Sequence, residues 1–177
     1  MSWLENNSIK LRAIELSDIE ILYKLENDSS LWKVSNTLAP FSKYILQKYI
    51  ENSSRDIFDL KELRLVIDLV GNNSAKAIGL IDIFDFDPFH KRAGLGIIID
   101  SEFRNNNYAS IALELVINYS FKYLNLNQLY CNISEDNLPS IKLFQKLGFE
   151  ITGIKKNWLC YNNQYKNELF LQLMNNM

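Results

Sequence analysis

Histidine occurs once in the 177 residues, at His90, and cysteine twice, at Cys131 and Cys160. The two cysteines form no C-x-x-C pair and have no histidine cluster beside them, which argues against a disulfide framework and a structural zinc. They read as reduced, mostly buried thiols. No metal is expected, and His90 reads as a surface-loop residue. Neither sign of charge dominates: the formal net charge is -2. A general nucleic-acid binder would be clearly basic, whereas weak acidity leaves room for a cationic substrate. Long apolar runs are missing too. Nothing approaches the roughly 18 residues that span a bilayer, and Glu5, Lys10 and Arg12 interrupt the start of the chain where a signal peptide would be apolar. A cytoplasmic protein without a membrane partner is the expectation. No internal repeat and no Pro/Gly/Ser-rich linker divides the sequence, so residues 1–177 read as one domain. A Walker-type G-x-x-x-x-G-K-[ST] segment is also missing, which counts against an unrelated nucleotide-binding α/β protein.

What is present is a hydrophobic share of 47% with 12% aromatics, enough for a bulky core. Residues 8–14 and 63–70 alternate as strands, the second with Leu63, Leu65, Ile67 and Leu69 on one side and Arg64 and Asp68 on the other. Between them lie two helical patterns. Ser17 is placed to cap the first, with Glu20 as its capping-box partner and Ile21, Leu22 and Leu25 on one side. Ser42 opens the second, which carries Ile45, Tyr49 and Ile50. Gly71-Asn72-Asn73 reads as a turn. Residues 76–87 and 92–100 form strands around a hairpin loop at Asp87-Pro88-Phe89-His90, and Ile97-Ile98-Ile99, apolar on both faces, suggests a central, doubly covered strand. A long amphipathic helix over 107–124, a strand at 128–134, a helix at 138–147 with Pro139 in its first turn and Gly148 past its end, and a hairpin of strands (150–160, 165–173) turning at Asn162-Asn163 complete the chain. Helical crossovers between strands imply an α/β (α+β) fold with a mixed sheet of about seven strands and helices on both faces.

Two segments carry candidate chemistry. In Arg104-Asn105-Asn106-Asn107-Tyr108-Ala109 a polar turn feeds the N-terminus of the long helix. Unpaired amides there attract anions, and asparagine tolerates the left-handed backbone of a tight turn. The second is Asn137-Leu138-Pro139-Ser140, followed by Phe144 and Lys146-Leu147-Gly148-Phe149; at the least it is a capped helix with an apolar stripe.

The spacing N-x-x-S-x-x-x-F-x-x-x-G-F, about 28 residues after an R-x-x-N-x-A loop, resembles the GNAT superfamily of N-acetyltransferases. Within it the chain is similar to the RimJ/RimL and spermidine N-acetyltransferase branches, on the N-x-x-S and K-L-G-F signatures and the late hairpin Tyr161-Asn162-Asn163-Gln164-Tyr165. The resemblance implies acetyl-CoA as co-substrate and direct attack of a primary amine on the thioester. Arg104 stands where the family has the first Gln/Arg of its pyrophosphate loop, Asn107 at its glycine and Ala109 at its last small residue. The amides from Asn105 through Asn106, Asn107 and Tyr108 to Ala109 would hold the pyrophosphate. Ile97, Ile98 and Ile99 would lend backbone groups to the pantetheine and the acetyl carbonyl, Asn137 would hydrogen-bond the pantetheine, and Ser140 would lie near the sulfur. Two positions depart from the family: Asn107 replaces glycine, and Phe144 stands where many members carry the tyrosine that protonates the leaving thiolate. Ser140 is then the substitute acid. The same departures also fit a domain that binds acyl-CoA without turnover.

Attack requires a neutral amine and a donor for the developing oxyanion. A backbone amide of strand 92–100 is placed to be the donor, with Gly94 to Gly96 allowing local distortion. Asp82 and Asp85 are the nearest candidate bases, although in a regular strand they point to opposite faces unless a bulge intervenes; a water chain is the substitute. Asp82, Asp85 and Asp87 read as an acidic patch that attracts a small-molecule amine or a peptide N-terminus. Trp3, Trp32 and Trp158 either line an acceptor pocket or pack in the core. The resemblance leaves room for a homodimer.

Overall fold

A computed structural model describes residues 3–35, 37–53, 55–71 and 75–175; Asn72 and Asn73 of the expected turn lie outside them. The strands are β1 (Ile9–Ala13), β2 (Leu63–Leu69), β3 (Lys76–Asp87), β4 (Arg92–Ile99), β5 (Gln128–Ser134), β6 (Glu150–Tyr161) and β7 (Gln164–Met174). They form one mixed sheet in the order β1-β2-β3-β4-β5-β7-β6, antiparallel except between β4 and β5. The helices are α1 (Ile19–Glu26), α2 (Trp32–Ser35), α3 (Lys43–Asn52), α4 (Ile57–Leu60), α5 (Tyr108–Lys122) and α6 (Leu138–Lys146). No described helix is long and apolar enough to cross a membrane.

The sheet is covered on both sides because its strands carry two apolar faces. Leu65, Ile67, Ile81, Ile83 and Leu95 pack with Ala112, Leu113 and Val116 of α5. On the other face Val66 and Leu80 meet Leu22 and Leu25 of α1 and Leu46 and Ile50 of α3. The alternation in β2 therefore holds for Leu65 and Ile67, but its opposite face is no solvent face: Asp68 is 2% exposed.

Burial of Asp68 is made tolerable by Arg12 of β1. Its guanidinium donates Nε to Asp68 at 2.6 Å and Nη1 to Asp18 at 2.7 Å, tying β1 and β2 to the short turn of 3₁₀ helix before α1. Burial raises the Asp18 carboxyl, but the Arg12 guanidinium and the Glu15 amide outweigh it and hold the group below the usual carboxylate range. The capping box expected of Ser17 and Glu20 is replaced here: Asp18 accepts from the Glu15 amide at 2.8 Å, because a carboxylate already fixed by Arg12 is preorganised for the role. Ser42 does cap α3, accepting from the Ile45 amide at 3.2 Å. The buried stripe of α3 is Leu46 and Ile50, whereas Ile45 is half exposed.

Asn162 and Asn163, both left-handed, form the tight turn between β6 and β7. Gly148, at φ +90°, ends α6. Cys131 is buried and its thiol is pushed up to about 12 by that burial. Cys160, by contrast, is exposed on the outer hairpin and corrects the expectation of two hidden thiols. One close approach is structural: a Cβ on Gly79 would lie 2.3 Å from the Ile98 carbonyl oxygen. Because that atom is backbone, Gly79→Ala must push β3 and β4 apart and is expected to cost about 2–3 kcal/mol, read as a lowered urea midpoint.

Candidate functional site

The sheet parts between β4 and β5. Among the described residues their ladder holds Arg92–Gln128, Ala93–Leu129 and Gly94–Tyr130 and then stops. β4 stays paired to β3 as far as Ile99, and β5 to β7 as far as Ser134. Each strand thus keeps one edge satisfied and turns the N–H and C=O of alternate residues of the other edge into the gap. An aromatic group sits at the apex. The Phe84 ring lies over Gly94, where a Cβ would be 2.2 Å from it, and packs edge-on against Tyr130 at 5.8 Å. Burial and the carboxylate of Asp85 push the Tyr130 hydroxyl up to about 12.

A cleft of about 1280 Å³ opens in this gap and extends across the face covered by α1 and α3. Its sheet wall includes Gly96, Ile97 and Ile98 from β4 and Asn132 and Ile133 from β5. Asn137, Ser140 and Phe144 of the α6 segment form one side. The segment around α2 and the tip of the β6–β7 hairpin meet over the cleft, where the Tyr161 hydroxyl donates to the Lys33 carbonyl at 2.7 Å. β6 reaches that far because it bends at an irregularity between Lys155 and Leu159, with Asn157 left-handed.

The polar wall centres on Arg64 of β2. Its guanidinium donates to Asp82 at 2.7 and 2.9 Å and to Glu26 of α1 at 2.6 Å, and lies 5.2 Å from the Tyr49 ring centre. The Tyr49 hydroxyl donates to Glu62 at 2.5 Å. Burial of Tyr49, with the Glu62 carboxylate, outweighs Arg64 and raises that phenol further into its neutral form. Burial works against the Arg64 charge, yet Asp82 and Glu26 hold it charged. Five carboxylates line the cleft (Glu26, Glu62, Asp82, Asp136 and Glu168) against two cations, Lys33 and Arg64. Among the described residues no group of three His, Cys, Asp or Glu side chains gathers as a metal ion would need.

The residues expected from sequence divide between four places. Asp82, Ile97, Ile98, Asn137 and Ser140 line the cleft. Ile97 and Ile98 are half-buried rather than doubly covered, because the strand they sit in faces the split. Ile99 is 8% exposed and belongs to the α5-side core. Asn137 caps α6 through its Oδ1, which accepts from the Ser140 amide at 3.3 Å, and Ser140 is half-buried at the cleft wall. Phe144 packs edge-on against Phe149 at 5.0 Å, so no phenol stands there.

Arg104 to Ala109 lie off the cleft, at the start of α5. Asn105 and Asn107 adopt φ 65° and 64°, the left-handed backbone that the glycine of a tight turn would take. Asn107 precedes the helix without capping it; its Oδ1 instead accepts from Lys146 at 3.3 Å. Arg104 turns Nε back onto the Ile99 carbonyl at 2.9 Å.

Asp85 lies outside the cleft lining. The bulge between Phe84 and Asp87 puts it at φ 48°, where it accepts from Tyr130 at 2.9 Å. Asp87 accepts from the Phe89 and His90 amides and pairs with Arg92. The three aspartates therefore form no shared patch: each has its own partner. Of the tryptophans, Trp158 lines the cleft, whereas Trp3 and Trp32 do not.

Glu26, Tyr49, Glu62, Arg64 and Glu168 were not read as site residues from sequence. The available signal was Arg64, one of two charges, with Asp68, in a strand whose other residues are apolar.

The sequence matches the acetyltransferase (GNAT) domain family over residues 8–150. It is 28% identical over 163 residues to the spermidine N(1)-acetyltransferase of Escherichia coli strain K12, covering 92% of this chain and 84% of that protein. It is 25% identical to the spermidine N(1)-acetyltransferase of Vibrio cholerae over 161 residues, 91% of this chain and 90% of that one. Among solved structures, the Vibrio cholerae spermidine N-acetyltransferase in complex with CoA and spermine superposes with a TM-score of 0.86 at 23% identity, covering 96% of both chains. A dodecameric structure of spermidine N-acetyltransferase from the same organism superposes at 0.78 with 25% identity, covering 96% and 95%. With a family match running through most of its length and the parted sheet to go with it, this chain belongs to the GNAT acetyltransferase family and is an acetyl-CoA-dependent N-acetyltransferase.

Proposed function

We propose that the acceptor is a small polycation, a diamine or polyamine, acetylated on a primary nitrogen inside the cleft. The observation that carries this reading is the excess of carboxylates over cations on the cleft wall, since a cleft lined by one sign of charge concentrates ligands of the other. The spermidine N(1)-acetyltransferases among its relatives support the same class.

The coenzyme's pantetheine arm would lie in the split, taking hydrogen bonds as an added strand would from the open edge of β4 at Ile97, whereas the Ile98 carbonyl turns toward β3. The amide nitrogen of Asn137, left over from its capping bond, reaches the same arm. The diphosphate rests on the free amides between Asn105 and Ala109. The amine nitrogen attacks the acetyl carbonyl carbon, the C–S bond breaks, and the oxyanion is met by a backbone amide of β4. Ser140 passes a proton to the departing sulfur and regains one through water from the nitrogen that has attacked, a modest task because a thiol of this kind has a pKa of about 8.5. Asp82, already shared with Arg64, attracts the incoming ammonium, whose proton leaves through water; Asp85, away from the cleft, takes no part. Ser140→Ala is expected to lower kcat roughly tenfold to hundredfold while leaving coenzyme affinity unchanged, measured by steady-state kinetics beside calorimetry. The dodecameric neighbour supports self-association of this chain as well.

Thiol release from acetyl-CoA tests the proposal with spermidine, a linear diamine, a monoamine of the same length and a peptide with a free N-terminus. The expected order of kcat/KM puts the two polycations first. A monoamine or peptide that matches them overturns the polycation reading. Coenzyme binding with no thiol released by any amine overturns catalysis in favour of a binding domain.

A further inference from the structure

Three glycines lie in the β3–β4 pair, at positions 79, 94 and 96. Packing accounts for two of them. A side chain at Gly79 would strike the Ile98 carbonyl oxygen at 2.3 Å, and one at Gly94 the Phe84 ring at 2.2 Å. Gly96 is different. A Cβ there would meet nothing nearer than Phe84 at 3.8 Å and Asp82 at 3.9 Å, both ordinary contacts. Glycine inside a strand weakens it through backbone entropy and lost side-chain packing. A strand with room for a methyl group and none in it is keeping that room for something else.

The position of the space indicates its use. Gly96 is half-buried, lines the cleft and follows the last rung of the β4–β5 ladder by two residues. It stands opposite Asp82 in β3, which stands opposite Arg64 in β2. Directly opposed residues share a face of the sheet. Ile98, two residues on and hence on the same face, packs with the α1 and α3 core. The space above Gly96 therefore opens on the side of the Arg64–Asp82 pair, away from α5 and the loop that precedes it.

We propose that Gly96 is a specificity-determining residue: its missing side chain leaves the passage by which the acceptor's reacting nitrogen, drawn by Asp82, reaches the acetyl carbonyl. The inference rests on the acetyl-transfer reading above. A linear –CH₂–NH₂ end fits such a passage; a methyl group added to the wall narrows it. Gly96→Ala is expected to melt within about 2 °C of wild type, to bind CoA unchanged in calorimetry, and to lose roughly tenfold in kcat/KM for a linear diamine. Gly96→Val should lose roughly a hundredfold, since small misplacements at the reacting atoms are costly. Wild-type kinetics in both variants overturns the inference, because the space is then unused. A parallel loss of CoA affinity overturns it too, because the space then belongs to the coenzyme. A wild-type chain that releases no thiol with any amine is a different result: it overturns the acetyl-transfer reading, and this inference with it.

Discussion

Asn107→Asp is expected to weaken acetyl-CoA binding roughly fiftyfold while leaving the melting temperature unchanged or slightly higher. The substitution is isosteric, and aspartate tolerates the left-handed backbone that Asn107 adopts at φ 64°. Its carboxylate would keep Lys146 as a partner through the same oxygen, which now accepts at 3.3 Å. A negative charge ahead of α5 favours the helix, by about 0.3–1 kcal/mol. The same charge meets the diphosphate that the loop amides are proposed to hold. At about 5 Å and an effective dielectric of about 20, like charges repel by about 3 kcal/mol, before screening by salt. Stability and affinity thus move in opposite directions, which general damage to the loop cannot produce. Calorimetry with CoA beside thermal melting reads both. Unchanged affinity would place the diphosphate elsewhere.

Arg12→Met is expected to have the largest effect on stability, a loss of about 3–5 kcal/mol and roughly 10 °C in melting temperature for a domain of this size. Methionine replaces the aliphatic stem but leaves Asp18 and Asp68, 5% and 2% exposed, without their cation. The sign of the pH dependence follows. The Asp18 carboxyl is held below its ordinary value in the folded protein, so its contribution is present above the ordinary carboxylate range and is lost as pH falls through the lower, folded value. In the variant that carboxylate has no guanidinium, and protonation relieves it. The two stability curves should therefore converge on acidification below about pH 4. Melts from pH 7 to pH 3 test this; a gap that stays constant would mean that packing of the Arg12 stem, and not its charge, carries the effect.

Much of the architecture is written in local patterns. The alternation of β2, the serine cap of α3, the paired asparagines of the last turn and Gly148 after α6 each specify their element through neighbours in sequence, and each is found where the pattern puts it. Glu15 and Asp18 form the capping box in place of Ser17 and Glu20, because Arg12, six residues from Asp18, fixes that carboxylate, a preference that the local motif does not contain. The short helices α2 and α4, four residues each, are too brief to show a period. The site divides in the same way. Asn137 and Ser140, on one helix start, could be read together. Glu26 and Tyr49 come from α1 and α3, Glu62 and Arg64 from around the start of β2, and only the register of β2 on β3 brings Arg64 to Asp82. A bulge likewise decides the fate of Asp85, since one irregular residue re-aims a side chain without altering strand propensity.

The three-rung ladder between β4 and β5 makes the sheet two half-sheets stitched along a short seam. Beyond Tyr130 the halves are bridged by side chains and by the Tyr161–Lys33 clasp, not by backbone pairing. A coenzyme lodged in the opening, as proposed, would supply the missing rungs itself. On that proposal the unliganded sheet has a gap in its wiring that the ligand would complete, so occupancy and mechanical cohesion of the two halves should rise together.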